Sequence, residues 1–328
     1  MTGQYPHPWQ QVQWQQLQQR REQGALPHAI LLMGQAGLGL DYFARLFAQS
    51  LICTEVNAQS ESCGHCHACL QFSQGVYADY KHVGLLEDKS RILVDQVREL
   101  SDFLALTKNS EGYKVVVISP ADKMNINAAN SLLKNLEEPS GKVIILLVAS
   151  HLHGLPATIK SRCQMLKFTK PDHAVAMNWL QARGLKNAEQ ALQLAQGAPC
   201  LAVSQADPVH FEQYTVVMDG ALGMVRGQQS LSQLRKVWSK CEIERLVSWS
   251  LALLRDCIRA VSQVTEANFE NHYYLEQLRG VSSLLDLAAL FKAHDHLAQL
   301  GERLDHPLNA DLLLDDVLLT WQALANQH

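Results

Sequence analysis

The chain has 328 residues, too many for one ordinary hydrophobic core, so two or three domains are expected. With 47% hydrophobic and 18% charged residues, the composition is that of a soluble globular protein, and no stretch is apolar for the roughly 18 residues that a membrane span needs. A formal net charge of −4 argues against a protein that holds nucleic acid by its overall field, and the expected partners are other proteins.

The N-terminal stretch is polar and glutamine-rich, without the basic start and apolar run of a secretory signal, so a cytoplasmic location is expected. Spaced apolar residues, Val12 and Leu17 among them, predict a helix within 5–28, closed by Gly24 and Pro27. The run Ala29–Met33 then predicts a buried strand. It leads into Gly34-Gln-Ala-Gly37-Leu-Gly39-Leu40-Asp41, and Tyr42, Phe43, Leu46, Phe47 and Leu51 at helical spacing predict a helix over 41–52.

Strand, glycine loop and helix stand in the order of a phosphate-binding unit, and Gly34 and Gly39 fit the pattern G-x-x-x-x-G-K-[ST]. The next two positions do not. Leu40 replaces the lysine that meets the β and γ phosphates, and Asp41 replaces the hydroxyl that binds Mg²⁺. A carboxylate a few Å from a phosphate costs roughly 4 kcal/mol per like-charge pair at an effective dielectric near 20. The loop therefore reads as the shape of a nucleotide site without its working parts, although glycine turns between strand and helix also occur in α/β folds that bind no nucleotide.

Four of the eight cysteines, Cys163, Cys200, Cys241 and Cys257, are scattered among apolar neighbours and are expected to be buried as small hydrophobes. Cys53, Cys63, Cys66 and Cys69 are spaced C-x9-C-x2-C-x2-C in a Gly/His turn, and such a set can converge on one tetrahedral Zn²⁺. A redox pair, idle thiols, or His65 or His67 in place of one cysteine are the alternatives. Four protein ligands would leave no open position for substrate, so the zinc would be structural.

Further along, strands are predicted over 83–86, 114–118, 143–148 and 165–168, and helices open near Ile92 and over 125–136. In a nucleotide hydrolase the strand 114–118 should end in Asp-Glu for Mg²⁺ and water; here it ends in Ser119-Pro120, with Asp122 displaced. From Pro171 onward the pattern is helical: three short helices over 174–183, 188–196 and 199–204, then a bundle that includes 231–238, 243–259, 273–290 and 312–324. Trp238, Trp249 and Trp321 suit either its core or an interface.

Asn130-Ser-Leu-Leu-Lys-Asn-Leu-Glu-Glu-Pro139, followed by Ser161-Arg162-Cys163, resembles the clamp-loader branch of the AAA+ ATPases, and the four-cysteine module after the loop helix narrows the resemblance to the bacterial DNA polymerase III clamp loader. It is carried by specific motifs from residue 28 to about 205 and more weakly beyond. Cys200 falls where the lid-domain arginine of Gly-x-x-Arg belongs, in Gly197-Ala198-Pro199-Cys200. The resemblance implies an α/β plus all-α protein. Its parts would be a RecA-like AAA+ parallel-sheet domain over 1–168 with a zinc module inserted at about 53–69, a helical lid over 169–207 and a helical collar over 208–328. It further implies a comparatively rigid stator in a pentameric ring with motor (gamma/tau) and delta subunits, acting with the sliding clamp and primer-template DNA through the assembled complex. Arg162 would be an arginine finger reaching the ATP site of the adjacent motor subunit, and ATP would not be bound productively here. Outside this motif an ordinary surface ion pair would be the plainer expectation; with Ser161 and Cys163 flanking it after the Leu-Glu-Glu-Pro unit, the finger is expected. The competing functions are an active motor-type ATPase and a zinc-knuckle nucleic-acid protein, the latter disfavoured by the neutral to acidic Gln59-Ser60-Glu61-Ser62.

Overall fold

The computed structural model describes residues 5–57, 60–87, 89–107, 112–137, 141–152, 154–204, 208–265, 269–303 and 309–326. It divides into two compact units, Met1–Val175 and Ala176–His328.

In the first unit a short 3₁₀ turn, Pro8–Gln10, leads into α1 (Gln11–Glu22), followed by β1 (Ala29–Met33), α2 (Leu40–Ile52) and α3 (His67–Ser73). Next come β2 (Tyr80–Val83), α4 (Val94–Ala105), β3 (Lys114–Ile118), α5 (Ile126–Glu137), β4 (Val143–Ala149), α6 (Ala157–Lys160) and β5 (Gln164–Lys167), and α7 (His173–Ala182) carries the chain onward. The strands form one parallel sheet in the order β2-β3-β4-β1-β5. Leu31 lies opposite Leu147 on one side and Met165 on the other. Every residue of β3 and β4 is buried, because helices cover both faces, which is why these strands read as unbroken apolar runs. The glycine loop leaves the carboxyl end of β1, between β4 and β5, where open α/β sheets place their ligands.

The strand predicted over 83–86 instead occupies Tyr80–Val83. It is the edge strand next to β3, where one side needs no apolar cover, so the polar Tyr80, Lys81 and His82 are admitted. A Cβ on Gly84 would lie 3.1 Å from the Ser119 carbonyl oxygen, and Leu85 and Leu86 are exposed.

The second unit continues with α8 (Ala188–Leu194), α9 (Pro199–Ser204), α10 (Pro208–Val225), α11 (Leu231–Trp238), α12 (Ile243–Val261), α13 (Leu275–Ser282), α14 (Leu287–Arg303) and α15 (Ala310–Ala325). Trp238, Trp249 and Trp321 belong to its core, with Tyr214 and Tyr274. The helix predicted over 273–290 is divided in two. Asp286 starts α14, its carboxylate accepting from the Ala289 N–H at 2.9 Å, and such a cap competes with helix continuation.

The connection from α12 to α13 is held from inside by Asp256. This fully buried carboxylate accepts from the backbone N–H of Glu270 (2.9 Å) and of Asn271 (2.7 Å), from Asn271 Nδ2 (2.7 Å) and from Arg259 Nη1 (2.7 Å). Asn271 Oδ1 in turn accepts from the Tyr214 hydroxyl at 2.5 Å. Removing the carboxylate strands several buried donors, so Asp256→Ala is expected to cost about 3–5 kcal/mol, read as a lower urea midpoint.

Candidate functional site

The glycines of the loop are demanded by its backbone. Gly37 (φ 83°) and Gly39 (φ 76°) adopt the left-handed region, Gly39 being the N-cap of α2. A Cβ on Gly34 would lie 2.9 Å from the Phe168 carbonyl oxygen. The N-terminal segment fastens the loop further. Leu38 O accepts from Trp9 Nε1 and from Gln10 Nε2, both at 2.9 Å, and Gly39 O accepts from Gln10 Nε2 at 3.0 Å.

Leu40, standing where the motif places an ammonium, is turned into the core and only 5% exposed. Asp41, standing where the motif has a hydroxyl, accepts a hydrogen bond from the hydroxyl of Ser119, which stands at the end of β3 where the hydrolase pattern has a carboxylate. Relative to the motif, hydroxyl and carboxylate have exchanged places, and the two are joined by this hydrogen bond. Burial pushes the nearby His82 imidazole below its usual pKa, against the pull of the Asp41 carboxylate, so it adds no cation at neutral pH. The displaced Asp122 does not restore the site. It is 9% exposed, and its Oδ2 accepts from the His151 backbone N–H at 3.1 Å, with the His151 ring Nδ1 at 3.3 Å. A Mg²⁺–triphosphate does not fit this donor set, because Leu40 supplies no charge and Asp41 adds a negative one.

The four clustered cysteines do converge. Their sulfurs all lie within 4.8 Å of one another, with Cys53 and Cys66 Sγ 4.0 Å apart. A tetrahedron of Zn–S bonds has edges of roughly 3.8 Å. Backbone N–H groups already point at the sulfurs: Glu55 and Cys63 donate to Cys53 Sγ, and Cys66 donates to Cys63 Sγ, each at 3.3 Å, while Cys69 donates to Cys66 Sγ at 3.4 Å. Burial pushes the Cys66 thiol up, but hydrogen bonds from the Cys69 N–H and from Thr54 outweigh it and bring the pKa down to about 6. Burial raises Cys53 and Cys69. Thiols gathered in this way are a set that a metal ion binds by displacing their protons. His65 and His67 are exposed, and His65 Nδ1 faces Glu55 at 3.7 Å. The chemistry of the cluster fits a four-sulfur metal site.

Arg162 follows α6 in a tight turn and is engaged within the chain. Its Nε donates to Glu137 Oε1 at 2.7 Å, with Nη2 on the same oxygen, and Nη1 donates to Thr158 O at 3.2 Å and Ser161 Oγ at 3.4 Å. The rest of the Leu-Glu-Glu-Pro unit, Glu138 and Pro139, lies outside the described residues, as does Gln59. The scattered cysteines are buried or half-buried. Burial pushes Cys163 up to about 12 and Cys200 up to about 11, so neither is a nucleophile at neutral pH, and Cys200 has no charge to offer a phosphate.

The exchange between Asp41 and Ser119, the grip of Trp9 and Gln10 and the partner of Arg162 leave no signal in local spacing. Glu137 stands in the Leu-Glu-Glu-Pro motif, but its partner lies 25 residues away, and nothing in the spacing pairs Asp41 with a residue 78 positions on.

Residues 9–172 match the family described as DNA polymerase III, delta subunit, and residues 210–323 match its C-terminal family. The chain is 34% identical to DNA polymerase III subunit delta' of Pseudomonas aeruginosa, covering 97% of this chain and 98% of that one. The chain belongs to the DNA polymerase III delta-prime family. The delta-prime subunit of Haemophilus influenzae is 31% identical over 87% of this chain and 85% of its own length. Among solved structures, a gamma subunit-related protein of Thermotoga maritima covers 95% of this chain and 100% of its own, at 18% identity and a TM-score of 0.42. Among the described residues of this delta-prime family member, no helix is long and apolar enough to cross a membrane.

The left-handed backbone at Gly39 makes the loop a structural requirement with or without a ligand. Gly39→Ala is expected to lower stability by about 1–2 kcal/mol, measured as a fall in the thermal midpoint of the protein free of nucleotide.

Proposed function

We propose that this chain is a non-hydrolysing, stator-type subunit of the DNA polymerase III clamp loader. In this reading it works in the cytoplasm with motor (gamma/tau) and delta subunits to load the sliding clamp onto primer-template DNA. The carrying observation is the phosphate loop, whose glycine shape persists while Leu40 is buried and Asp41 is spent on Ser119. A subunit of this kind keeps the architecture of a motor and leaves hydrolysis to its neighbours. The lid over 169–207 and the collar over 208–328 are part of the same proposal.

Arg162 is the residue proposed to act on a neighbour's chemistry. Charge develops on the γ-phosphate as its bond breaks, and a guanidinium delivered from the adjacent subunit stabilises it only when the two subunits are in contact. Hydrolysis is thereby tied to the closed ring. Cys53, Cys63, Cys66 and Cys69 are proposed to hold one structural zinc, which ties α3 and its preceding turn to the end of α2 without a large apolar core.

Three measurements test these points. Calorimetric titration and an ATPase assay of the isolated chain with Mg-ATP are expected to show no micromolar binding and no turnover. Micromolar binding with Mg²⁺-dependent hydrolysis would establish the motor-type alternative. In the reconstituted ring, Arg162→Ala should leave assembly intact and reduce hydrolysis at the adjacent site by about 10³-fold, a value typical of an arginine finger; unchanged turnover removes the assignment. Elemental analysis should find about one zinc per chain, and Cys66→Ser should abolish its retention; a metal content unaffected by that change would sink the four-sulfur site.

A further inference from the structure

Arg162 and Glu137 form more than a chance surface pair. Glu137 is the last residue of α5, a helix whose Ala128, Ala129, Leu132 and Leu136 are buried, so the base of its carboxylate arm is fixed by the core. Yet the two side chains are 36% and 49% exposed, and an exposed pair contributes at most about 1 kcal/mol to stability. What the contact supplies is geometry. A free arginine side chain carries about 2 kcal/mol of rotamer entropy, which must be surrendered whenever its fork is used.

The contacts are also unequal. The Nε/Nη2 edge rests on one carboxylate oxygen, with Nε at 2.7 Å, whereas among the described residues the Nη1 corner has the longer contacts to Thr158 O (3.2 Å) and Ser161 Oγ (3.4 Å). We propose that Glu137 is a positioning residue for Arg162, holding the Nε/Nη2 edge while the Nη1 corner exchanges its two weak contacts for a phosphate oxygen of the neighbouring subunit's nucleotide. The proposal rests on the reading of Arg162 as a finger in trans. Glu137 touches neither nucleotide nor the reacting atoms. It sets the direction from which the guanidinium arrives.

The test uses full-length chains in the reconstituted ring with Mg-ATP, comparing Glu137→Gln, Arg162→Ala and the double variant. Glu137→Gln keeps the size of the side chain and removes its charge. It is expected to lower kcat at the adjacent site about tenfold, as for a misaligned catalytic group, with KM for ATP, ring assembly and the chain's thermal midpoint unchanged. Added to Arg162→Ala it should cause no further loss, since both act through one guanidinium. A Glu137→Gln ring as fast as wild type or faster, or an equal loss in the Arg162→Ala background, overturns the positioning role while the arginine finger stands. An Arg162→Ala ring with undiminished turnover overturns both.

Discussion

A triphosphate bound at a helix N-terminus needs fixed positive charge and a metal, because backbone N–H dipoles alone do not balance several negative charges. In this loop the Ser119 hydroxyl donates to Asp41, so a carboxylate and a hydroxyl stand where the motif has a hydroxyl and a carboxylate, and the buried Leu40 brings no charge. Around it the scaffold is intact. β1 remains in the interior of the sheet, and Gly37 and Gly39 keep their left-handed turns. Trp9 holds the Leu38 carbonyl, and Gln10 holds the carbonyls of both Leu38 and Gly39. These contacts fasten the loop from within the protein.

Two further clusters of polar side chains stand out among the described residues of the first unit. The four sulfurs between the end of α2 and α3 form a convergent donor set, with N–H groups aimed at Cys53, Cys63 and Cys66. Arg162 sits at the end of α6, held against the last residue of α5. Both are built from short, polar stretches of chain that the buried sheet and helices hold in place.

Much of the fold is legible wherever local pattern carries the answer. β1, β3 and β4 stand out as continuous apolar runs because interior parallel strands are covered on both faces. The cysteine spacing foretells a convergent cluster, since three of its members follow at two-residue intervals and the fourth closes the preceding helix. β2 is harder to place, because its edge position admits polar residues and its apolar continuation, Leu85 and Leu86, lies outside the strand. Their apolar spacing reads α13 and α14 as one helix, whereas Asp286 caps a new helix after the turn that ends α13.

By itself the sequence determined that a phosphate-loop scaffold is present and that the lysine, the hydroxyl and the acidic pair are missing from it, because residue type alone decides which charges exist. Only the tertiary structure decided what those substitutions do, with Leu40 turned into the core and Asp41 joined to Ser119, and that Arg162 is joined to Glu137. These pairings link elements far apart along the chain, and the sheet order that brings Asp41 and Ser119 together leaves no periodic trace in the residues themselves.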